Sequence, residues 1–357
     1  MPPVMLERKR LGRHLTLALD LARACAAVYV VLHHLATAYG FAGGPGIILR
    51  FGQEAVIVFF VLSGFVIFAN EHERALHIRG YFFRRARRIY PPLLVALLLS
   101  TVIAASDERL RAAFSLHELA ATLLGLQDIA ILKPGVISDP YLGNAPLWSL
   151  SYEIAFYIAF PAVLWMWKRW PEGTTHGVGL VCCIAYAAFA IKPNHWFLVT
   201  SYFMVWWCGA MAAHSYLSGR NDLGGMRATF LWHLALCAIA TVVMAAVGFR
   251  GVGVYPALTV RHFAAAAVLL VVFYGPAGRF VAGLLGPIRQ IIVFVAAISY
   301  GLYVFHFPLL IQWRFSQTPL GFIIAILLLI SLSYAADYRL GHVLRRSRPV
   351  RGESLTT

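Results

Sequence analysis

The sequence predicts an all-α polytopic membrane protein with about ten transmembrane helices. Apolar residues make up 60% of the 357-residue chain and the mean hydropathy is +0.73, whereas soluble domains are roughly 45–50% apolar. Ten stretches approach the length of about 20 apolar residues that crosses the hydrocarbon core. Because no water in a bilayer satisfies free backbone groups, such stretches form helices. The expected spans are approximately 15–39, 51–69, 90–106, 147–167, 177–191, 197–216, 229–248, 257–275, 291–313 and 319–339.

The basic residues predict that both chain ends lie in the cytoplasm. The chain has 30 Lys and Arg against 15 Asp and Glu, a formal net charge of +15. With the first residues inside, the cytoplasmic segments hold 21 of the 30 basic residues and the opposite segments 8, as the positive-inside rule requires. This bias explains the net positive charge, so the charge does not indicate binding of nucleic acid. Proteins that bind nucleic acid carry their Lys and Arg on a polar face. We expect a multi-pass protein of a bacterial inner or plasma membrane, surrounded by membrane lipid.

One membrane domain is expected over residues 1–357, with no fused soluble domain and no internal repeat. The longest polar interruption, about 107–146, is interpreted as an external loop with one short interfacial helix near 116–131. The 5 cysteines lie inside apolar runs and lack the spacing of a metal site or of a disulfide framework. We therefore predict no metal centre.

Ionisable side chains in the first span are candidates for function, because a charge inside a bilayer costs several kcal/mol. Asp20 and Arg23 are three residues apart and can pair on one helical face. Arg23 and His34 also share a face and lie about 16 Å apart along the helix axis. One helix can thus hold an anionic group near the cytosol and a reacting group deeper in the membrane. The alternative is a structural role, in which Asp20 and Arg23 pair to pack the helices and the histidines form hydrogen bonds within the bundle.

Later spans add further polar groups. Ser63 lies in a bulky apolar run, where a small residue favours close helix packing. Arg85 and Arg88 belong to a basic cluster before the third span, which either anchors the chain to lipid phosphates or clamps a phosphorylated ligand. Glu153 shares a helical face with Tyr157 and is a candidate general base, histidine-orienting group or proton-coupling site.

Five motifs follow one another along the predicted helices. They are Asp20-x-x-Arg23 with His34; Phe59-Phe60-x-x-Ser63-Gly64; Arg85-x-x-Arg88-Ile89-x-Pro91; Trp148-Ser149-Leu150-x-x-Glu153-x-x-Phe156-Tyr157 with Pro161; and Ser299-Tyr300-x-x-Tyr303-x-x-His306-x-Pro308. Together they resemble the membrane acyltransferase-3 family, integral membrane enzymes that attach acetyl or other short acyl groups to sugars, lipids and antibiotics. The resemblance covers most of the chain.

The resemblance implies that Arg23 and His34 are essential and that Arg85 and Arg88 form the cytoplasmic arginine pair. On this hypothesis a cytosolic acyl-coenzyme A, acetyl-coenzyme A in the first place, is the donor co-substrate, and no cofactor is permanently bound. The donor docks against Arg85 and Arg88 with help from Arg23. His34 then acts as general base on an acceptor hydroxyl or is itself transiently acylated. The acceptor is a carbohydrate, a lipid-linked sugar, an envelope glycan or a small secondary metabolite.

The remaining site residues are assigned supporting roles. Glu153 is expected to orient His34, as a carboxylate does in a serine-protease triad. Candidate oxyanion donors or substrate contacts are Trp148, Ser149, Tyr300, Tyr303 and His306. The family commonly ends its last helix with Glu-Pro, whereas this chain has Asp337-Tyr338 there, and no role is assigned to Asp337. The esterase-like domain fused to some members is also absent from the sequence.

Two other classes of protein fit the same pattern. A proton-coupled transporter also carries Asp, Glu, His and Arg inside its helices, although the sequence shows no two-fold repeat. A non-catalytic scaffold for envelope assembly is the third interpretation. Release of free coenzyme A separates an acyltransferase from both, since neither a carrier nor a scaffold produces it.

Overall fold

The computed structural model describes residues 11–41, 44–220, 224–274 and 288–339, which are helical over most of their length. The chain forms long antiparallel helices joined by short loops, with one longer loop between the third and fourth long helices. The α-helices are α1 (Arg13–Ala38), α2 (Gly52–Glu71), α3 (Ile78–Ser106), α4 (Leu110–Ala113), α5 (Leu116–Leu124), α6 (Trp148–Arg169), α7 (Pro171–Ile191), α8 (His195–Ser201), α9 (Phe203–Leu217), α10 (Arg227–Val247), α11 (Ala257–Tyr274), α12 (Arg289–Ala297), α13 (Ser299–His306) and α14 (Pro319–Ser333).

The helical architecture is confirmed for the part of the chain that the structure describes. Within it, 8 helices are long and apolar enough to cross a bilayer, or 9 when the bent pair α12 and α13 counts as one span. The apolar part of α11, Ala257–Val272, is shorter than these helices and is not counted among them. The ten spans and the cytoplasmic placement of both ends stay predictions.

The third predicted span begins earlier than expected. Helix α3 starts at Ile78 rather than at residue 90, and it continues through Pro91 and Pro92. The hydropathy pattern missed its first turns because five arginines interrupt the apolar run. Arg85 and Arg88 therefore lie on a helix, within reach of carboxylates on other helices, rather than in a loop that precedes it.

The ninth predicted span is broken instead of continuous. Helices α12 and α13 are bent by 57° at Ile298, and a π-helix over Phe307–Gln312 follows α13. The hydroxyl of Ser299 donates to the carbonyl of Ala296 at the break, 2.9 Å away. A side-chain hydroxyl that bonds a preceding carbonyl competes with the regular helical ladder. The bend gives α13 its own direction, and α13 carries His306.

The interfacial helix expected near 116–131 is shorter than predicted. Helix α5 ends at Leu124, where Gly125 adopts a left-handed φ of 71° and closes the C-terminus. The rest of the loop folds back onto the bundle. Its Asp128 and Lys133 form an ion pair of 2.7 Å in which both side chains are fully buried.

Lys133 fixes this loop against α6. Its Nζ atom lies 3.9 Å from the centre of the Trp148 ring, and the hydroxyl of Tyr152 donates to Asp128 at 2.6 Å. Burial lowers the pKa of the Lys133 amine, while the carboxylate of Asp128 opposes that shift. A network of this kind is costly when one member is missing, so the loop is held in a single position above α6.

Helices α2 and α9 approach each other at two glycines. A Cβ atom at Gly64 would overlap the carbonyl of Trp206, and one at Gly209 would overlap the carbonyl of Val61. Small residues at a helix interface allow such close approach. The expected packing role of this segment is consistent with the contact, and it brings Trp206 within 3.2 Å of the Ser63 hydroxyl.

Candidate active site

Two histidines from different helices meet inside the bundle. Nδ1 of His34, on α1, lies 3.1 Å from Nε2 of His306, on α13. The centres of the two rings are 5.1 Å apart. His306 is fully buried, whereas His34 is partly accessible. Phe307 packs edge-on against His34 with ring centres 5.2 Å apart. The structure thus brings together two residues that the sequence places 272 positions apart.

Backbone carbonyls select the tautomers of this pair. Nδ1 of His306 lies 2.9 Å from the carbonyl of Leu302, which only accepts hydrogen bonds, so that nitrogen carries the proton. Nε2 of the neutral ring is then an acceptor and faces Nδ1 of His34. Nδ1 of His34 is therefore the protonated atom, shared between His306 and the carbonyl of Val30 at 3.0 Å. This assignment leaves the Nε2 lone pair of His34 available as a base.

The hydroxyl groups near this pair belong to Tyr303 and Ser149. Tyr303 lies on α13 with its ring centre 6.4 Å from that of His306, and its hydroxyl is 2.8 Å from the Ser149 hydroxyl. The same Tyr303 hydroxyl donates to the carbonyl of Pro146. Both groups were expected near the site, and they tie the start of α6 to α13.

Glu153 lies in a second centre, away from His34. Its Oε1 atom accepts a hydrogen bond from Ser63 at 3.1 Å and another from the hydroxyl of Tyr157. Trp206 donates to Ser63 at 3.2 Å, which completes a network across α2, α6 and α9. Among the described residues, the hydrogen bonds of His34 go to Val30 and His306. The expected contact between Glu153 and His34 is thus absent, and His306 occupies that place.

The arginines surround the Glu153 centre and are paired with carboxylates. Arg85 lies 3.2 Å from Glu71 and Arg88 lies 2.9 Å from Asp337. The guanidinium of Arg85 lies over the rings of Tyr81 and Tyr157. Its buried Nε atom has no hydrogen-bond partner among the described residues. Arg85 therefore keeps a donor for a ligand.

Arg23 joins this group from α1. It interacts electrostatically with Arg88, Tyr157 and Glu153 as well as with Asp20. Asp20 and Arg23 attract each other, as their spacing on one helical face predicts. Among the described residues, however, the two charged groups do not come within ion-pair distance, so the contact is electrostatic rather than direct.

Arg88 stays partly accessible although other elements surround it. Arg88 has charged or aromatic neighbours on three other elements, yet its side chain is 46% exposed. Arg88 pairs with Asp337 and still keeps accessible surface, and Arg23 has no carboxylate within ion-pair distance among the described residues. Guanidinium groups of this kind attract a phosphate group.

Asp337 contacts the arginine group, although the sequence analysis assigned it no role. It lies in a π-helical turn, Tyr334–Arg339, and binds both Arg88 and the backbone N–H of Gly301 at 2.7 Å. Its position at the end of the last helix, where related sequences carry another acid, was the available signal. Asp337 fixes the orientation of Arg88 and ties α3 to α13.

Two predicted oxyanion donors lie elsewhere. The hydroxyl of Tyr300 donates to the carbonyl of Ile89 at 3.1 Å, and its ring lies under Arg88. The Trp148 ring packs against Lys133 and stacks on His262. Tyr300 thus belongs to the arginine group, and Trp148 to the buried loop contact. No cluster of three metal-ligating side chains occurs among the described residues.

The chain is similar to known acyltransferases. A family model described as an acyltransferase domain matches residues 16–337. Acyltransferase MdmB of Streptomyces mycarofaciens is 36% identical over 124 residues, 34% of this chain and 30% of that protein. Nodulation protein 10 of Rhizobium leguminosarum bv. viciae is 24% identical over 165 residues, 43% of each chain.

A protein of Staphylococcus aureus (strain COL) that is named as an O-acetyltransferase is 27% identical over 157 residues, 41% of this chain and 24% of that protein. The matched segments therefore span less than half the length of each of these relatives. No solved structure matches the chain.

Proposed function

The chain belongs to the acyltransferase-3 family, and on this premise we propose that it transfers a short acyl group from acyl-coenzyme A to a hydroxyl group. The acceptor is a sugar, an envelope glycan or lipid, or a secondary metabolite. His34 is the general base, and the reaction takes place in a bacterial cell membrane. The observation that carries this proposal is the His34–His306 pair, which leaves Nε2 of His34 free inside the bundle.

The arginine group is the proposed donor site. Coenzyme A carries several phosphate charges, and arginine binds phosphate through two parallel N–H bonds. Arg23 on α1 and Arg88 on α3 interact electrostatically with each other and with Glu153, and Arg85 lies one turn before Arg88. Asp337 and Glu71 hold two of these guanidinium groups without using all their donors. The donor's phosphates bind there, and its thioester extends toward His34.

The chemistry needs one base that later acts as an acid. Nε2 of His34 accepts the proton of the acceptor hydroxyl while that oxygen attacks the thioester carbonyl carbon. The C–S bond then breaks, and the coenzyme A thiolate takes the proton back from Nε2. An ester and free coenzyme A result. His306 supports the imidazolium that forms in between, because its Nε2 atom accepts the hydrogen bond from Nδ1 of His34.

The proposal is tested by thiol release from acetyl-coenzyme A. The detergent-purified protein is incubated with acetyl-coenzyme A and a panel of glycan, lipid and small-alcohol acceptors, and free thiol and acylated product are both measured. We expect thiol release that depends on an acceptor and equals the ester formed. In proteoliposomes, movement of substrate without any thiol release would overturn the proposal in favour of a transporter.

A further inference from the structure

A cluster of polar groups lies close to the histidine pair and has no part in the chemistry above. It consists of Gln53 and Glu54 in the first turn of α2 and Arg261 on α11. Glu54 and Arg261 form an ion pair of 2.6 Å, with 13% and 18% of their side chains exposed. Arg261 also donates to the backbone carbonyls of Val252 and Arg50, at 2.9 and 3.2 Å. The cluster is thus held in place by three segments.

His33 connects this cluster to His34. The two rings contact each other edge-on, with centres 5.0 Å apart. On its other side the His33 ring packs against the backbone of Gly52, so closely that a Cβ atom there would overlap it. His33 also interacts electrostatically with Arg261. Gln53 and Glu54 follow Gly52 directly in the first turn of α2, so the cluster begins at the residue that contacts His33.

Three buried polar atoms of the cluster lack partners. Oε1 of Gln53 and Nε of Arg261 form no hydrogen bond with the described residues. Oε2 of Glu54 accepts none from any other residue in the described ranges. Buried polar atoms are nearly always paired, and leaving one unpaired is unfavourable. A ligand that supplies two donors and one acceptor satisfies all three atoms.

The chemistry of the cluster defines the class of that ligand. The Glu54–Arg261 pair is neutral overall, so it does not favour an anionic group such as a phosphate. Two acceptor oxygens and one N–H donor at neighbouring positions match the hydroxyls of a polyol, since each hydroxyl donates one hydrogen bond and accepts others. The exposed Phe51 ring beside Arg261 adds an apolar face of the kind that packs against a sugar ring.

We propose that Gln53, Glu54 and Arg261 form the subsite for the acceptor, and that the acceptor is a neutral polyhydroxylated molecule of the sugar class. This inference rests on the proposed acyltransferase function. The subsite holds the acceptor beside His33, so that one of its hydroxyls reaches Nε2 of His34. Phosphate groups of the donor bind at the arginines around Arg88.

The test measures KM for acceptor and donor separately. The acceptors are methyl glucoside, methyl galactoside, N-acetylglucosamine and inositol, each tested with radiolabelled acetyl-coenzyme A. Octanol, which has a single hydroxyl group, is the control acceptor. The variants are Glu54→Gln and Gln53→Leu, of which the second leaves the ion pair intact. Asp107→Asn, in a carboxylate–arginine pair at the end of α3, is the matched control.

We expect the wild-type protein to acylate at least one of the sugars and not octanol. Both subsite variants should raise KM for that sugar about 10- to 100-fold, because each loses a hydrogen bond to a charged or buried group. KM for acetyl-coenzyme A should stay unchanged. Unchanged sugar KM values, preference for octanol, or transfer to none of the sugars despite thiol release would overturn the subsite and leave the acyltransferase function standing. No thiol release under any condition would overturn both.

Discussion

Replacing His34 with alanine is expected to lower acyl transfer by roughly 10²–10⁴-fold, the usual contribution of a positioned general base. The loss follows from the pairing with His306, which leaves Nε2 of His34 as the free basic atom of the pair. Binding of acetyl-coenzyme A should change little, because the arginines that we propose as its phosphate site lie around Arg88 and Glu153. The measurement is kcat for thiol release by a membrane-inserted variant of wild-type thermal stability.

His233→Ala is the matched control for this change. His233 is also a histidine in a long apolar helix, fully buried, with Nδ1 2.6 Å from the carbonyl four residues earlier, that of Thr229. It therefore reports the structural cost of removing such a ring. We expect this variant to retain transfer close to that of the wild type. Equal loss in both variants, or normal transfer by folded His34→Ala, would rule out His34 as the base.

Removal of the Asp128 carboxylate should have the largest effect on stability. Asp128→Ala leaves the amine of Lys133 buried without its counter-ion, and breaking such a pair costs about 3–5 kcal/mol. Both side chains are fully buried, so water does not compensate for the loss. The free energy of unfolding, measured by denaturant titration in mixed micelles, should fall by this amount.

The double variant Asp128→Leu with Lys133→Met separates the charge from the shape of the contact. It removes both charges and keeps an apolar chain against the Trp148 ring, where Lys133 now lies. Replacement of a buried pair by apolar residues is often neutral or stabilising, so we expect the double variant to recover most of the lost stability. A double variant as unstable as Asp128→Ala would show that the loop does not depend on this ion pair.

Much of the architecture follows from hydropathy alone. The long apolar runs predicted most helices correctly, because a bilayer leaves the backbone few alternatives. The same signal failed where charged residues lie within a helix, as in the first turns of α3. There Arg85 pairs with Glu71 at the end of α2, and Arg88 pairs with Asp337 of the last described segment. It also treated α12 and α13 as one helix, since a 57° bend leaves no trace in composition.

The candidate site was predictable in its membership but not in its pairing. Periodicity placed Tyr303 and His306 on one face, and the structure shows both inside the bundle. It carried no information on which helices are neighbours, so Glu153 was matched with His34 although its partners are Ser63 and Tyr157. Asp337 was left without a role because its contact with Arg88 spans 249 positions.

The pairing of His34 with His306 is tested most directly by comparing kcat of His306→Gln and His306→Ala. The carbonyl of a glutamine side chain reaches the position of Nε2 and accepts the hydrogen bond from Nδ1 of His34, whereas alanine leaves that proton to the carbonyl of Val30 alone. We predict at least tenfold higher kcat for the glutamine variant, with equal KM for acetyl-coenzyme A. Equal kcat in the two variants, at equal stability, would contradict a role of His306 in positioning the base.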